Sequence, residues 1–464
     1  QTLIGKDLIG RGILKKWETK VLILFFIAFF SIKCVLSECF SFPLSPQPID
    51  GLNYLWMASH SLNTIFIIYP PYPPLYPLLL YIIGSLFGSV DLHDLFLISK
   101  VLNSIFSSLI IFPAYYLSKL YLERKISLLI SLISVSIPTL FIQSFIGMSE
   151  PLFFLLILTT VCFMFYTEKF FITGILVFLT ILTKHTGFIL LIAIFLYLMY
   201  KKERRQLFSF MSGLTPLIPY FLWRGWKYGF TENGLITYGL TPNLSNGSWL
   251  NTWIMTFSHF DALVVGSGII FGILSLALLL KILRSNEEIE EHIKDFAIFT
   301  WIFILLTCSI SGYFLSGEER VIGRYVAFLL PFVFITGAIF LEKWDGSLSY
   351  FLLSGYIILI SMLFFTTNPL TAERELFEGY VMGLDCVVVL LWFLSSFIIV
   401  LWLLPPIREA FKIRHREIMF LLSFSLVLLL NMNGISQSLF VNSILNEHTN
   451  SDICLLYTSP SPRD

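Results

Sequence analysis

The sequence predicts an all-α integral membrane protein that crosses the bilayer many times. Of its 464 residues, 56% are hydrophobic and only 13% are charged, and the mean hydropathy is +0.83. The apolar residues occur in runs of about 17–25, the length that a helix needs to cross a bilayer. The formal net charge is zero, so no basic field points to nucleic acid. The six cysteines form no C-x-x-C pair, which indicates neither a zinc site nor a disulfide framework.

The apolar runs predict about 13 transmembrane helices. They lie at 20–37, 95–118, 126–142, 151–167, 170–183, 186–200, 207–224, 262–283, 295–315, 325–341, 349–367, 386–404 and 417–433. Segment 73–88 is also apolar, but it is short and starts with two prolines. We expect it to be a re-entrant or interfacial helix rather than a further crossing.

The distribution of Lys and Arg predicts which loops are cytoplasmic. If 73–88 does not cross, basic clusters fall on the side of the N-terminus, at 11–20, 124–125, 201–205 and 408–416. The positive-inside rule therefore predicts a cytoplasmic N-terminus and long outer loops at 38–94 and 225–261. We expect a multi-pass protein of the plasma membrane.

No repeat or low-complexity linker divides the chain, which indicates one transmembrane domain over 1–433. Residues 434–453 then form an outer C-terminal segment. The tail 454–464, "CLLYTSPSPRD", resembles translated sequencing adapter, and we expect it to be non-native.

Asp50 opens an aromatic, amphipathic stretch in the first outer loop, "IDGLNYLWMASHSL". Leu52, Leu55 and Trp56 fall near helical spacing, which predicts a helix along the membrane surface. Asp50 is a candidate catalytic acid or base at this boundary, and Tyr54 is an auxiliary candidate. The alternative is that Asp50 only caps the helix.

Further ionisable residues are predicted on the same outer face. Glu150, in "GMSEPLFFLL", is a second candidate acid, although a carboxylate at a helix N-terminus is also favoured by the helix dipole. Lys184 and His185, in "LTKHTGF", interrupt a long apolar stretch, and ionisable residues at such depth are functional candidates. His185 is equally explained as an interfacial histidine with satisfied hydrogen bonds.

Arg320 and Arg324 lie on the side where cations are rare, in "GEERVIGRYVAFLLP". A guanidinium can bind phosphate in a bidentate way. The alternative is a local salt bridge to Glu318 or Glu319. Carboxylates and cations on one membrane face suit a reaction on a lipid-linked phosphate, with an acid for the acceptor hydroxyl and cations for the leaving phosphate.

Five stretches, in this order, resemble a known family over roughly 20–345. They are "IDGLNYLWMA", "YPPLYPLLLYIIGSLFG", "MSEPLFFLL", "LTILTKHTGFILL" and "GRYVAFLLPFVFITGAIFLE". The family is the GT-C class of polyprenyl-phosphate-sugar-dependent glycosyltransferases, which includes protein mannosyltransferase-like and aminoarabinose transferase-like enzymes of archaea and bacteria. The resemblance implies a GT-C type helical bundle with interfacial helices in the first outer loop.

The resemblance also implies roles. Asp50 matches the catalytic base, Lys184 matches a lysine that holds lipid phosphate, and Arg324 with Tyr325 matches the family's "RY" before an apolar helix. No cofactor is expected. Gly51 follows Asp50 where the family commonly has a second acid, and a single carboxylate argues against a metal-bridging role, although a divalent metal stays open.

The function predicted is transfer of a sugar, mannose or a related hexose or pentose, from dolichyl or undecaprenyl phosphate. The acceptor is a hydroxyl of a protein, glycan or lipid on the outer face, and the anomeric configuration is inverted. The donor and the lipid bilayer are the expected partners, and nucleic acid is not. The alternative is a transporter or flippase of a lipid-linked solute, or a non-catalytic scaffold if Asp50 is only a cap.

Overall fold

The computed structural model describes residues 16–37, 49–60, 62, 64–68, 72–228, 249–268, 270–284, 289–315, 323–343 and 354–355. All the regular elements in these ranges are helices. In chain order they are α1 Lys16–Ser37, α2 Ile49–His60, α3 Leu75–Leu86, α4 Leu92–Leu109, α5 Ile111–Lys119, α6 Arg124–Val135, α7 Pro138–Gln143, α8 Glu150–Cys162, α9 Phe170–Thr183, α10 Gly187–Lys201, α11 Arg204–Gly213, α12 Leu217–Tyr228, α13 Trp249–Gly266, α14 Ile270–Arg284, α15 Glu291–Leu315 and α16 Leu330–Glu342.

Short helices of other kinds complete the described chain. Single turns of π-helix lie at Thr64–Ile68 and Phe163–Thr167, and the second directly continues α8. Two 3₁₀ turns, Gly323–Tyr325 and Ala327–Leu329, lead into α16.

Four helical segments in the described part are long and apolar enough to cross a membrane: Trp17–Ser37, Leu92–Lys119, Glu150–Thr167 and Glu291–Phe314. They coincide with the predicted spans 20–37, 95–118, 151–167 and 295–315. The polytopic all-α class is therefore confirmed. The first of these helices is peripheral, because Leu24 and Val35 leave 62% and 71% of their surface exposed.

Several predicted spans are not the single α-helices that the apolar pattern indicated. Span 126–142 is divided into α6 and α7, because Pro138 excludes helical backbone at Ile137. Span 207–224 is divided into α11 and α12 by a turn at 214–216. Span 262–283 is interrupted between α13 and α14, where Gly268 has a φ of +70°. Apolar periodicity does not reveal these breaks, because apolar residues continue on both sides of each of them.

Glycines allow the shorter helices to pack backbone against backbone. Gly174 of α9 and Gly213 of α11 face each other, and a Cβ on either would overlap the backbone of the other helix. Gly312 of α15 meets Thr256 of α13 in the same way. Close contact through small residues is typical of membrane bundles, where lipid supplies no hydrophobic drive for helix association.

The predicted first outer loop contains a small core of its own, built by α2 and α3 against α4. Tyr54, Leu55, Tyr76 and Leu95 are buried in it. Helix α3 has 12 residues, about 18 Å at 1.5 Å per residue, which is too short to span about 30 Å of hydrocarbon. This length agrees with the interfacial prediction for 73–88. Apart from residues 354–355, the predicted spans 349–367, 386–404 and 417–433, the segment 434–453 and the tail 454–464 lie outside the described residues.

Candidate functional site

Glu150 is the centre of a buried cluster of charges. It is the first residue of α8 and is followed by Pro151, which is favourable in the first turn because its missing N–H has no helical acceptor there. The side chain of Glu150 is only 1% exposed. A buried carboxylate is tolerated only when it is paired, and the structure provides two cations.

Lys184 is the first cation. It ends α9 in extended backbone, and a turn in which the N–H of Gly187 donates to the carbonyl of Lys184 (2.9 Å) starts α10. Gly187 is required there, since a Cβ would lie 2.8 Å from the backbone N of Ile181. The turn directs the Lys184 ammonium to Glu150 Oε1, to which it donates a hydrogen bond.

Arg324 is the second cation, and it comes from the 3₁₀ turn before α16. Its Nε lies 3.9 Å from the same oxygen, Glu150 Oε1. The ring of Tyr325 lies beside both cations, with its centroid 5.2 Å from Lys184 Nζ and 5.8 Å from Arg324 Cζ. Such distances allow cation–π attraction. Arg324 thus contacts an acid far away in the sequence.

The cluster is well suited to an anionic ligand. Two cations share one carboxylate, so the group is formally positive. Glu150 Oε2 has no hydrogen-bond partner among the described residues. Because burial excludes most of the water from these charges, each interacts more strongly with a ligand than it would at an exposed surface.

Asp50 lies in the first turn of α2, and its side chain lies outside the described part of the structure. Its neighbour Gly51 packs on the segment before Glu150, since a Cβ on Gly147 would lie 3.4 Å from the Gly51 carbonyl oxygen. One turn further along α2, Tyr54 Oη accepts a hydrogen bond from Ser149 Oγ (3.2 Å). Helix α2 therefore adjoins the chain that carries Glu150.

The remaining candidates are placed only in part. His185 lies in the turn beside Lys184 and is half-buried. Arg320, like Glu318 and Glu319, lies outside the described residues. Within the described ranges, no group of three or more His, Cys, Asp or Glu side chains is arranged to hold a metal ion.

Two buried polar residues beside this site were not singled out from the sequence. Asn103 of α4 hydrogen-bonds backbone carbonyls of segment 143–148. Lys33 of α1 is fully buried, and its ammonium donates to Ser107 Oγ at 2.7 Å. The spacing of Ser99, Asn103 and Ser107 was the available signal, because positions four apart form one polar helix face.

The described helices define the class of protein as a polytopic α-helical membrane protein. Among solved structures, its fold is similar to that of ArnT from Cupriavidus metallidurans, an aminoarabinose transferase of the GT-C class. The structure of ArnT bound to undecaprenyl phosphate matches with a TM-score of 0.57 and 11% identity, over 93% of this chain and 79% of ArnT. Its apo structure matches with a TM-score of 0.51 and 14% identity, over 90% and 78%.

At these identities the likeness concerns the fold alone, and it confirms the predicted GT-C type bundle. No family model matches the sequence, and no curated protein does.

Proposed function

We propose that this protein is a membrane glycosyltransferase that moves a sugar from a polyprenyl-phosphate carrier to an acceptor hydroxyl. The observation that carries the proposal is the buried, formally positive cluster of Glu150, Lys184, Arg324 and Tyr325 beside α2, in a GT-C fold. ArnT, which shares that fold, has been solved with undecaprenyl phosphate bound. A lipid phosphate is the ligand that the charge and burial of this cluster favour.

In this proposal Lys184 and Arg324 bind the donor phosphate, and Arg320 assists them. As the bond between the anomeric carbon and the phosphate oxygen breaks, negative charge develops on that oxygen. Cations that are already in place stabilise this charge without having to reorganise. Glu150 holds the two cations in position and prevents them from repelling each other before the donor arrives.

Asp50 acts as the general base. It accepts the proton of the acceptor hydroxyl while the hydroxyl oxygen attacks the anomeric carbon from the side opposite the phosphate. The new glycosidic bond therefore has inverted configuration. Support for this role comes from the position of Asp50 in α2, next to the segment of Glu150, and from the sequence resemblance.

The finer assignments belong to the same proposal. The donor is a mannose or a related hexose or pentose on dolichyl or undecaprenyl phosphate. The reaction occurs at the outer face, because the long loops with few cations lie there.

The test is the Asp50→Asn variant, assayed in liposomes with radiolabelled polyprenyl-phosphate sugars. Asn caps a helix about as well as Asp, but an amide cannot act as a base. Turnover should fall about 10²–10⁴-fold, the usual scale for a positioned base, while binding of undecaprenyl phosphate persists.

Asp91→Asn is the matched control for Asp50→Asn. Asp91 caps α4 in the same predicted outer loop, with Oδ2 accepting from the N–H of His93 at 3.1 Å. This variant should keep wild-type turnover. If Asp50→Asn is as active as Asp91→Asn, Asp50 is only a helix cap. The proposed enzyme then has no assigned general base.

A further inference from the structure

The chain between α7 and α8 is a short irregular segment that carries Glu150 at its end. Helix α7 ends at Gln143, a turn covers 144–147, and α8 begins at Glu150. The last carbonyls of a helix and those of a turn lack intrahelical donors, so buried ones need partners from elsewhere. In this segment, backbone N–H groups of the turn bind the carbonyls of Phe141, Ile142 and Ile146, and α4 supplies further donors.

Asn103 of α4 donates to this backbone. Its side chain is fully buried, and its Nδ2 donates to the carbonyl oxygens of Ile146 and Met148, both at 2.9 Å. A longer contact of 3.4 Å reaches the carbonyl of Gln143. The two N–H groups of one amide therefore hold the carbonyls of Ile146 and Met148, the second of them two residues before Glu150, and the Gln143 carbonyl lies at the edge of hydrogen-bond distance.

Ser107 makes a second attachment one helical turn further along α4. Its Oγ accepts hydrogen bonds from Ser144 Oγ and from Lys33 Nζ, both at 2.7 Å. Because residues four apart lie on the same helix face, Asn103 and Ser107 present one polar face of α4 to the segment.

The opposite side of the segment is packed on α2. A Cβ on Gly147 would meet Leu55 Cδ1 at 3.1 Å, and Ser149 is hydrogen-bonded to Tyr54. The segment is thus enclosed between α4, which fixes its backbone, and α2, the helix that begins with Asp50. A shift of the segment would move Glu150 and disturb the packing of α2 against the segment.

We infer that Asn103 is a positioning residue that holds the Glu150 carboxylate and the Asp50 helix in their relative arrangement. Its effect on turnover rests on the proposed function. The hydrogen bonds by which Asn103 holds segment 143–148, here called the clamp, do not depend on any activity. The clamp is therefore measured separately.

The first measurement is hydrogen–deuterium exchange of the purified protein. In Asn103→Ala, peptides covering 143–149 should exchange faster, while peptides from the centre of α15 should not change. Ser108→Ala is the control: Ser108 is buried on the same helix, and its Oγ has no hydrogen-bond partner among the described residues. Unchanged exchange over 143–149 in Asn103→Ala would overturn the inference.

The second measurement is the rate of sugar transfer from a radiolabelled polyprenyl-phosphate sugar. A displacement of about 1 Å in a positioned group can cost about 10²-fold, so kcat of Asn103→Ala should fall at least tenfold. Ser144→Ala removes the attachment to Ser107, together with a contact to the Leu140 carbonyl of α7, and leaves the Asn103 contacts in place, so it should show a smaller loss. It carries the test if Asn103→Ala does not fold.

A double-mutant cycle separates positioning from general destabilisation. Glu150→Asp shortens the carboxylate and keeps its charge. If Asn103 acts by placing Glu150, the loss in kcat from Asn103→Ala should be smaller in the Glu150→Asp background, because coupled groups are not additive. Ser108→Ala should leave kcat unchanged in both backgrounds.

The outcomes are distinguishable. Faster exchange with fully additive losses in kcat would show a structural clamp without positioning, and the inference fails while the proposed function stands. An inactive wild type with every donor tested would remove the proposed function and the positioning role together. Exchange over 143–149 would then still report whether the clamp exists.

Discussion

Replacing Glu150 by Gln should lower the free energy of unfolding. It should also increase the stabilisation that the protein gains from binding a lipid phosphate. The change keeps the shape of the side chain and removes its charge. Lys184 and Arg324 would then lose the carboxylate that they share, and their side chains are only 15% and 13% exposed. Removing one partner of a buried pair costs about 3–5 kcal/mol. Because both cations retain some contact with solvent, we expect about 2–3 kcal/mol here.

The same variant should respond more strongly to the proposed ligand. In the wild type, a phosphate must compete with the Glu150 carboxylate for the two cations. In Glu150→Gln this competitor is absent, so undecaprenyl phosphate should bind more tightly. A ligand at 100 times its Kd stabilises a protein by about 2.7 kcal/mol, which is enough to offset most of the expected loss.

The assay is thermal unfolding of the purified protein in detergent, with and without undecaprenyl phosphate. Glu291→Gln is the control, since Glu291 pairs with Lys201 at 2.9 Å but its own side chain is 80% exposed. An exposed pair contributes about 0–1 kcal/mol, so this variant should unfold near the wild-type temperature. The reasoning about the cluster is refuted by either of two results. In the first, Glu150→Gln unfolds at the same temperature as Glu291→Gln; in the second, undecaprenyl phosphate stabilises Glu150→Gln less than it stabilises the wild type.

Two further predictions concern Arg324 and His259. Arg324→Lys keeps the charge but loses the planar fork, so the donor KM should rise by about tenfold with expression unchanged; an unaltered donor titration would assign Arg324 to a structural ion pair. His259, fully buried on α13 in the predicted outer loop, has its pKa lowered by burial from 6.5 to about 4. Since the unfolded chain then binds the extra proton first, stability should fall as pH drops from 6.5 to 4, by up to about 3 kcal/mol. Between pH 6.5 and pH 4, the unfolding temperature of His259→Gln should fall less than that of the wild type. If the two proteins lose unfolding temperature in parallel, the pH dependence does not come from His259.

Several features of the fold were open to prediction because they are local properties of the chain. An apolar run of bilayer length favours a helix wherever the rest of the chain lies, and the runs at 20–37 and 151–167 are indeed helical. The helix that contains Asp50 was also indicated by its own spacing of apolar residues. The break before Pro138 could have been inferred from proline chemistry, and the turn at Gly268 from the Gly-Ser-Gly sequence in which it lies.

The sequence also singled out the individual members of the site, since Glu150, Lys184 and Arg324 are rare charges in apolar surroundings. It did not determine their partners. Arg324 was expected to bind phosphate or to pair with Glu318 or Glu319, and the structure places it beside Glu150. Such pairing depends on the packing of α8, α9 and the turn before α16, which are distant in the chain.

The sequence by itself therefore determined the helical class and the bilayer setting. It also determined the short set of ionisable residues that are unusual in such apolar surroundings. Only the tertiary structure decided that two cations share one carboxylate oxygen and that Asn103 holds the backbone leading to it. The physical reason is range. Hydrophobicity and helix formation act within a run of residues, whereas hydrogen bonds and ion pairs require a few ångströms between atoms that only the packed bundle brings together.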